Sequence, residues 1–182
     1  MTDLRRVLAA LILVSGLLTG AAGAQTSSDP EAQLRALGLT LPQPNRPAAN
    51  YVPAVQAGNL LFLSAHGECG GSFLSGKVGQ TVSVDSAFAS ARRTALCLLA
   101  TLKAELGDLR RVRRIVRVDG LVNATGEFSE HPRVINGCSD LLVAVFGERG
   151  RHARSASGAV SLPLNRAVSI AMVVEVEPAQ AR

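Results

Sequence analysis

The chain has 182 residues, a formal net charge of +5, no Trp and a single Tyr. It therefore lacks the aromatic side chains on which single-stranded nucleic acid stacks, and its basic excess is modest, so no nucleic-acid partner is expected.

The first 24 residues read as a cleavable export signal. "MTDLRR" is a short basic leader, "VLAALILVSGLLTG" is an apolar run too short for a comfortable membrane span, and Ala22-Gly23-Ala24 offers small residues for a signal peptidase. Cleavage before Gln25 would release a periplasmic or secreted protein with no membrane contact; an uncleaved anchor is the alternative. No cysteine follows the apolar run, which argues against a lipoprotein, and the flanks of Arg5-Arg6 match a twin-arginine signal poorly. Losing Arg5, Arg6 and Asp3 with the leader takes one unit from the formal charge, and the remainder is long enough for one domain with its own core.

Residues 25–50, punctuated by Pro42, Pro44 and Pro47, read as an extended lead-in to a domain over 51–178, with 179–182 as a tail. "NLLFLSA" (Asn59–Ala65) has the length of a buried strand, and the five glycines of "GECGGSFLSGKVG" demand a turn or flexible loop. From Ser83 to Glu105, Phe88, Ala91, Ala95, Leu98 and Leu102 recur at helical steps, with Ser83 or Ser86 as N-cap and Gly107 as exit. "RRVRRIVRVDGLV" alternates as a strand, with Val116 and Val118 on one side and Arg117 and Asp119 on the other. A second helix is expected from about Pro132 to Phe146, with Ile135, Cys138 and Leu142 on its apolar stripe and Gly147 at its end. In "ARSASGAVSL", Arg154, Ala156, Gly158 and Val160 share a face opposite Ser155 and Ser157. In "AVSIAMVVEVE", Val168, Ile170, Met172 and Val174 share one.

The order strands, helix, strand, helix, two strands predicts an α+β fold, a mixed sheet with two helices on one face. The last strand is apolar on both sides, so the other face of the sheet needs a cover, and a second copy of the chain is the natural one. The cysteines Cys69, Cys97 and Cys138 match no zinc motif. Cys97 and Cys138 fall in apolar helical patterns suited to buried thiols, and one disulfide stays open as an alternative.

The order of elements, together with "NYVPAVQAGNLLFLSA", "ELGDLRRV" and above all "HARSASGAVSLPL", resembles the Rid family (reactive intermediate deaminases, also called YjgF-type or endoribonuclease L-PSP) over roughly Tyr51 to Glu177. The resemblance implies a chorismate-mutase-like fold and a homotrimer with ligand clefts between neighbouring subunits. It also implies hydrolysis of 2-imino acids such as 2-iminobutanoate or 2-iminopropanoate to 2-oxo acids and ammonia, without metal or organic cofactor. The family's carboxylate clamp maps to Arg154, whose planar fork suits a carboxylate as lysine's point charge would not. Its cleft tyrosine maps to Tyr51, and the loop that lends backbone groups to the substrate maps to Ser64, Ala65 and His66. The cysteine two residues after the clamp becomes Ala156. The family's last-strand glutamate becomes Ser169, whose hydroxyl titrates far outside the range of an acid–base catalyst. Unless Glu175, Glu68 or His66 substitutes, the resemblance implies a small-carboxylate-binding trimer with impaired catalysis.

The five arginines of Arg110–Arg117 offer a phosphate strip, for an endoribonuclease-like activity, or a charged helix–strand junction; the junction is preferred. His66-Gly67-Glu68-Cys69 holds three ligand types in four residues, too close in a glycine-rich loop to converge on a metal, so no metal is expected.

Overall fold

The most apolar strand lies in the middle of the sheet. In this computed structural model, which describes residues 29–47 and 49–178, the strand nearest the C-terminus is flanked on both sides. The strands are β1 (Ala54–Ala57), β2 (Leu60–His66), β3 (Val112–Asn123), β4 (Ala153–Ala159) and β5 (Val168–Val176), in the spatial order β1-β2-β5-β3-β4. Only β3 and β4 run parallel, joined by a crossover helix; every other pairing is antiparallel. The export signal expected over residues 1–24 and the expected tail at 179–182 both lie outside the described residues. Among the described residues no helix is long and apolar enough to cross a membrane.

The helices are α1 (Pro30–Ala36), α2 (Val84–Leu106) and α3 (His131–Phe146). Ser83 caps α2 by accepting from the Ser86 N–H at 3.1 Å, and Gly107, at φ 76°, ends it in a conformation that L side chains disfavour. Helices α2 and α3 pack against each other and cover one face of the sheet. Gly137 makes the contact possible, because a Cβ there would lie 2.1 Å from the Phe88 carbonyl oxygen on α2. Beneath them Val168, Ile170, Met172 and Val174 of β5 are all buried, as their alternation predicts.

The lead-in is not extended throughout. Residues 30–36 form α1, capped by Asp29, and Leu34 is buried in the same core as α2 and α3. One leucine on a seven-residue helix leaves too little periodicity to read from sequence. The alternation of β3 is also interrupted. Its register with β5 shifts between Ile115 and Arg117, so Ile115 and Val118 both enter the core and Val116 is only half-buried.

The opposite face of the sheet is uncovered. Val55, Phe62 and Val173 lie side by side across β1, β2 and β5 in register, and Phe62 is 44% exposed. Leu121, 43% exposed, stands on the same face beside Ser169 and Ser157. This is the apolar surface expected to need a cover.

Cys97 departs from the buried-thiol expectation: it forms a disulfide with Cys69 that pins the glycine-rich loop to α2. Helical periodicity places Cys97 on an inward face but cannot say which loop passes over it. Cys138 is a free, buried thiol, pushed up to about 12 by burial against the opposing influence of the Arg154 charge.

Candidate functional site

Arg154 stands on β4, an edge strand of the sheet, opposite Val118 of β3 and hence on the helix-bearing side. Its exposed guanidinium is held by neutral groups of α3: Nη1 donates to Asn136 Oδ1 at 2.7 Å and to Ser139 Oγ at 3.1 Å. Among the described residues it has no ion pair with a carboxylate. Asn136 and Ser139 sit three residues apart, one turn of helix, on the face that meets β4.

Ser139 has its own partner. His152 Nδ1 donates to the Gly150 carbonyl at 2.6 Å, which leaves Nε2 as an acceptor for the Ser139 hydroxyl at 3.1 Å. Burial holds the His152 ring below the ordinary histidine range, the Gly150 contact opposes this, and the Arg154 charge adds to the lowering. The neutral ring thus fixes the direction of the Ser139 hydroxyl and leaves its oxygen to receive Arg154.

Ala156 and Gly158 do less for a ligand than their size suggests. Ala156 packs against the core, and Gly158 makes room for His131, whose Nε2 would lie 2.5 Å from an added Cβ. The small residues following Arg154 let α3 lie close over β4. Val160 is past the end of β4 and 87% exposed.

Tyr51, Ala65 and Ser169 are brought together elsewhere, around a cavity of about 340 Å³ that Arg154 of the same protomer does not line. The register of β2 with β5 shifts between Leu63 and His66, a bulge at the cavity wall. His66 borders the cavity, but its ring turns into the core, with Nδ1 donating to the Ser64 carbonyl at 2.6 Å and Nε2 accepting from Thr101 at 2.8 Å. Burial lowers its pKa despite the Ser64 contact.

Two arginines that sequence reading passed over, Arg46 and Arg166, also line this cavity. Arg166 follows a turn in which Leu164 and Asn165 adopt φ of 59° and 54°, a strained path for non-glycine residues. One N–H of its Nη1 donates to the Glu68 carbonyl at 2.8 Å, and its guanidinium carbon lies 3.9 Å from the centre of the Phe73 ring. Gly67 leaves the space: a Cβ there would be 2.7 Å from Arg166.

The candidate acid–base substitutes are occupied. The Glu68 carboxylate takes hydrogen bonds from Arg93, Ser90 and the Leu74 N–H; burial alone would raise its pKa, but these bonds together hold it below the usual value. Glu175 accepts from Asn59 at 3.2 Å and lies 3.7 Å from Arg113. His66, Glu68 and Cys69 turn to Thr101, Arg93 and Cys97 respectively, and among the described residues no group of three or more His, Cys, Asp or Glu side chains could hold a metal ion. In the Arg110–Arg117 run, Arg110 pairs with Asp108, Arg113 with Glu175 and Arg117 with Asp119, while Arg111 donates to the Leu106 carbonyl.

Residues 31–176 match the model of a family described as "YjgF/chorismate mutase-like, putative endoribonuclease". The chain belongs to the YjgF, or Rid, family. A Trypanosoma cruzi protein named TCP17 is 41% identical over 148 residues, which span 79% of this chain and 92% of that protein. A crystal structure of an Agrobacterium tumefaciens protein of unknown function shares 44% identity with a TM-score of 0.75, over 81% of this chain and 94% of that one. A Shewanella oneidensis structure described as a "putative endoribonuclease" shares 34% identity with a TM-score of 0.79, over 81% and 99%. The mixed sheet under α2 and α3 is accordingly the chorismate-mutase-like fold of the YjgF family.

Proposed function

We propose that this Rid-family protein is exported, assembles as a homotrimer through its uncovered sheet face, and binds a small carboxylate of the 2-imino or 2-oxo acid type between subunits. The observation that carries the reading is Arg154: its guanidinium is oriented by two neutral acceptors on one nitrogen and, among the described residues, is left without a carboxylate partner. Such an arrangement fixes the fork while leaving donors for an incoming anion. Tyr51, Ala65 and Ser169 stand apart from Arg154 within one protomer, and a cleft between subunits would unite the two half-sites. The Cys69–Cys97 disulfide supports export, because such bonds persist in oxidising compartments.

A second reading, binding without imine hydrolysis, is favoured by the setting of Ser169. Hydrolysis requires a proton delivered to the imine nitrogen and another removed from the attacking water, yielding a 2-oxo acid and ammonia. Among the described residues no carboxylate side chain lines the cavity around Ser169, and Glu68, Glu175 and His66 are each engaged elsewhere. Freshly generated 2-iminobutanoate separates the readings. Release of 2-oxobutyrate by the protein, abolished in Arg154→Ala, establishes a deaminase. No release, with saturable 2-oxobutyrate binding abolished in Arg154→Ala, establishes a binder. Indifference of both measurements to Arg154→Ala overturns the clamp.

A further inference from the structure

Among the described residues, the cavity beside Ser169 is lined by two arginines, Arg46 and Arg166, and by no acidic side chain. A half-buried arginine is ordinarily neutralised by a carboxylate, since an uncompensated charge away from water is costly. Arg166 is stabilised instead by a peptide carbonyl on one nitrogen and by the face of Phe73. Both contacts stabilise a cation without cancelling its charge, and the nearby Glu68 carboxylate is turned away to Arg93, Ser90 and Leu74. Arg46, exposed on the lead-in chain, has no ion pair or hydrogen bond to another described residue. The cavity therefore combines uncancelled positive charge with neutral polar groups from Tyr51, Ser64 and Ser169.

We propose that this cavity receives a second anionic group, and that the ligand is a dianion: a 2-imino or 2-oxo acid whose side chain ends in a carboxylate or a phosphate-like group. The inference rests on the reading above, in which Arg154 of a neighbouring subunit takes the α-carboxylate. Arg166 and Arg46 then take the distal anion. A planar guanidinium with free N–H groups matches either a carboxylate or a phosphate-like head, and the enclosing walls weaken competition from solvent. One consequence is selectivity. A ligand with an apolar side chain would leave two arginines facing it unpaired, whereas a dianion satisfies both ends.

Calorimetry on the full-length protein at low ionic strength tests this with three probes: 2-oxobutyrate (one anionic group), 2-oxoglutarate (two carboxylates) and phosphonopyruvate (carboxylate and phosphonate). The expected result is at least tenfold tighter binding of one or both dianions than of 2-oxobutyrate, the better dianion identifying the distal group. Arg166→Gln should remove most of that preference. Arg46→Gln, at an exposed position where misfolding is not a concern, should reduce it severalfold. The preference should also fall steeply with added salt. Equal affinity for all three probes, with binding lost in Arg154→Ala, overturns the dianion inference and keeps the clamp. A dianion preference lost in Arg166→Gln but indifferent to Arg154→Ala keeps the cavity assignment and overturns the clamp. Failure of every probe to bind overturns both.

Discussion

The two sides of β5 carry nearly the same chemistry and have opposite fates. Val174 faces α2 and α3 and is fully buried, whereas its neighbour Val173 lies on the open face beside Phe62. An apolar residue on the first side is satisfied by its own chain. One on the second side is left partly exposed by its own chain. The difference also divides the functional residues. Arg154 stands on the helix side of an edge strand and takes its orientation from α3, while Ser169 stands on the open side next to the arginine-lined cavity. A ligand that needs both requires the sheet to be approached from two directions.

The comparison breaks first where the helices are pushed off their side. Gly137→Ala places a methyl group into the α2 backbone at Phe88, which helix packing cannot relieve by a rotamer change. A loss of about 3 kcal/mol or more is expected in urea unfolding, and a neutral result would show that α3 does not pack this closely. Replacing both Cys69 and Cys97 by serine releases the loop that crosses to α2, across a separation of 28 residues. Loop-closure entropy puts that loss at about 3.6 kcal/mol, seen as a lowered denaturation midpoint that reductant no longer affects.

The central test is the valine pair. Val174→Ala should cost about 1.5–3 kcal/mol at any protein concentration, because it empties space in a filled core. Val173→Ala should cost under about 0.5 kcal/mol in a dissociated protomer. Introducing Asp at both Phe62 and Val173 should convert the proposed trimer to folded monomers by light scattering, with circular dichroism preserved. A trimer that survives this double substitution would mean that the open face is not the interface.

The smallest expected effect is on pH dependence. Burial lowers the pKa of both His66 and His152 from 6.5, so the unfolded chain binds protons before the folded one does as pH falls. Stability should therefore decline from about pH 6.5 downward until the folded rings also protonate. His66→Gln and His152→Gln should each flatten that decline, and His152→Gln should in addition loosen Arg154 through Ser139 and weaken carboxylate binding. Glu68, held low by Arg93, Ser90 and Leu74, adds a separate loss as pH falls below 4.5 toward its folded value.

Much of the fold is legible in the sequence, because periodicity is a local property. The alternation in β5, the apolar stripe of α2 and the glycines that end α2 and α3 each follow from side chains within one element. The resemblance carried by "HARSASGAVSLPL" likewise singles out Arg154 from within a few residues. Asn136 and Ser139 left a fainter trace, as polar residues one turn apart on the amphipathic helix α3.

What the tertiary structure alone decided is who meets whom across long stretches of chain. Cys97 is joined to a loop 28 residues away, and Arg166 is set on the carbonyl of Glu68, 98 residues earlier. Ala156 and Gly158 look like space for a ligand until α3 and His131 are seen to occupy it. Local patterns set the direction in which a side chain leaves the backbone, but its neighbours and the charge left unpaired depend on distant segments packing together.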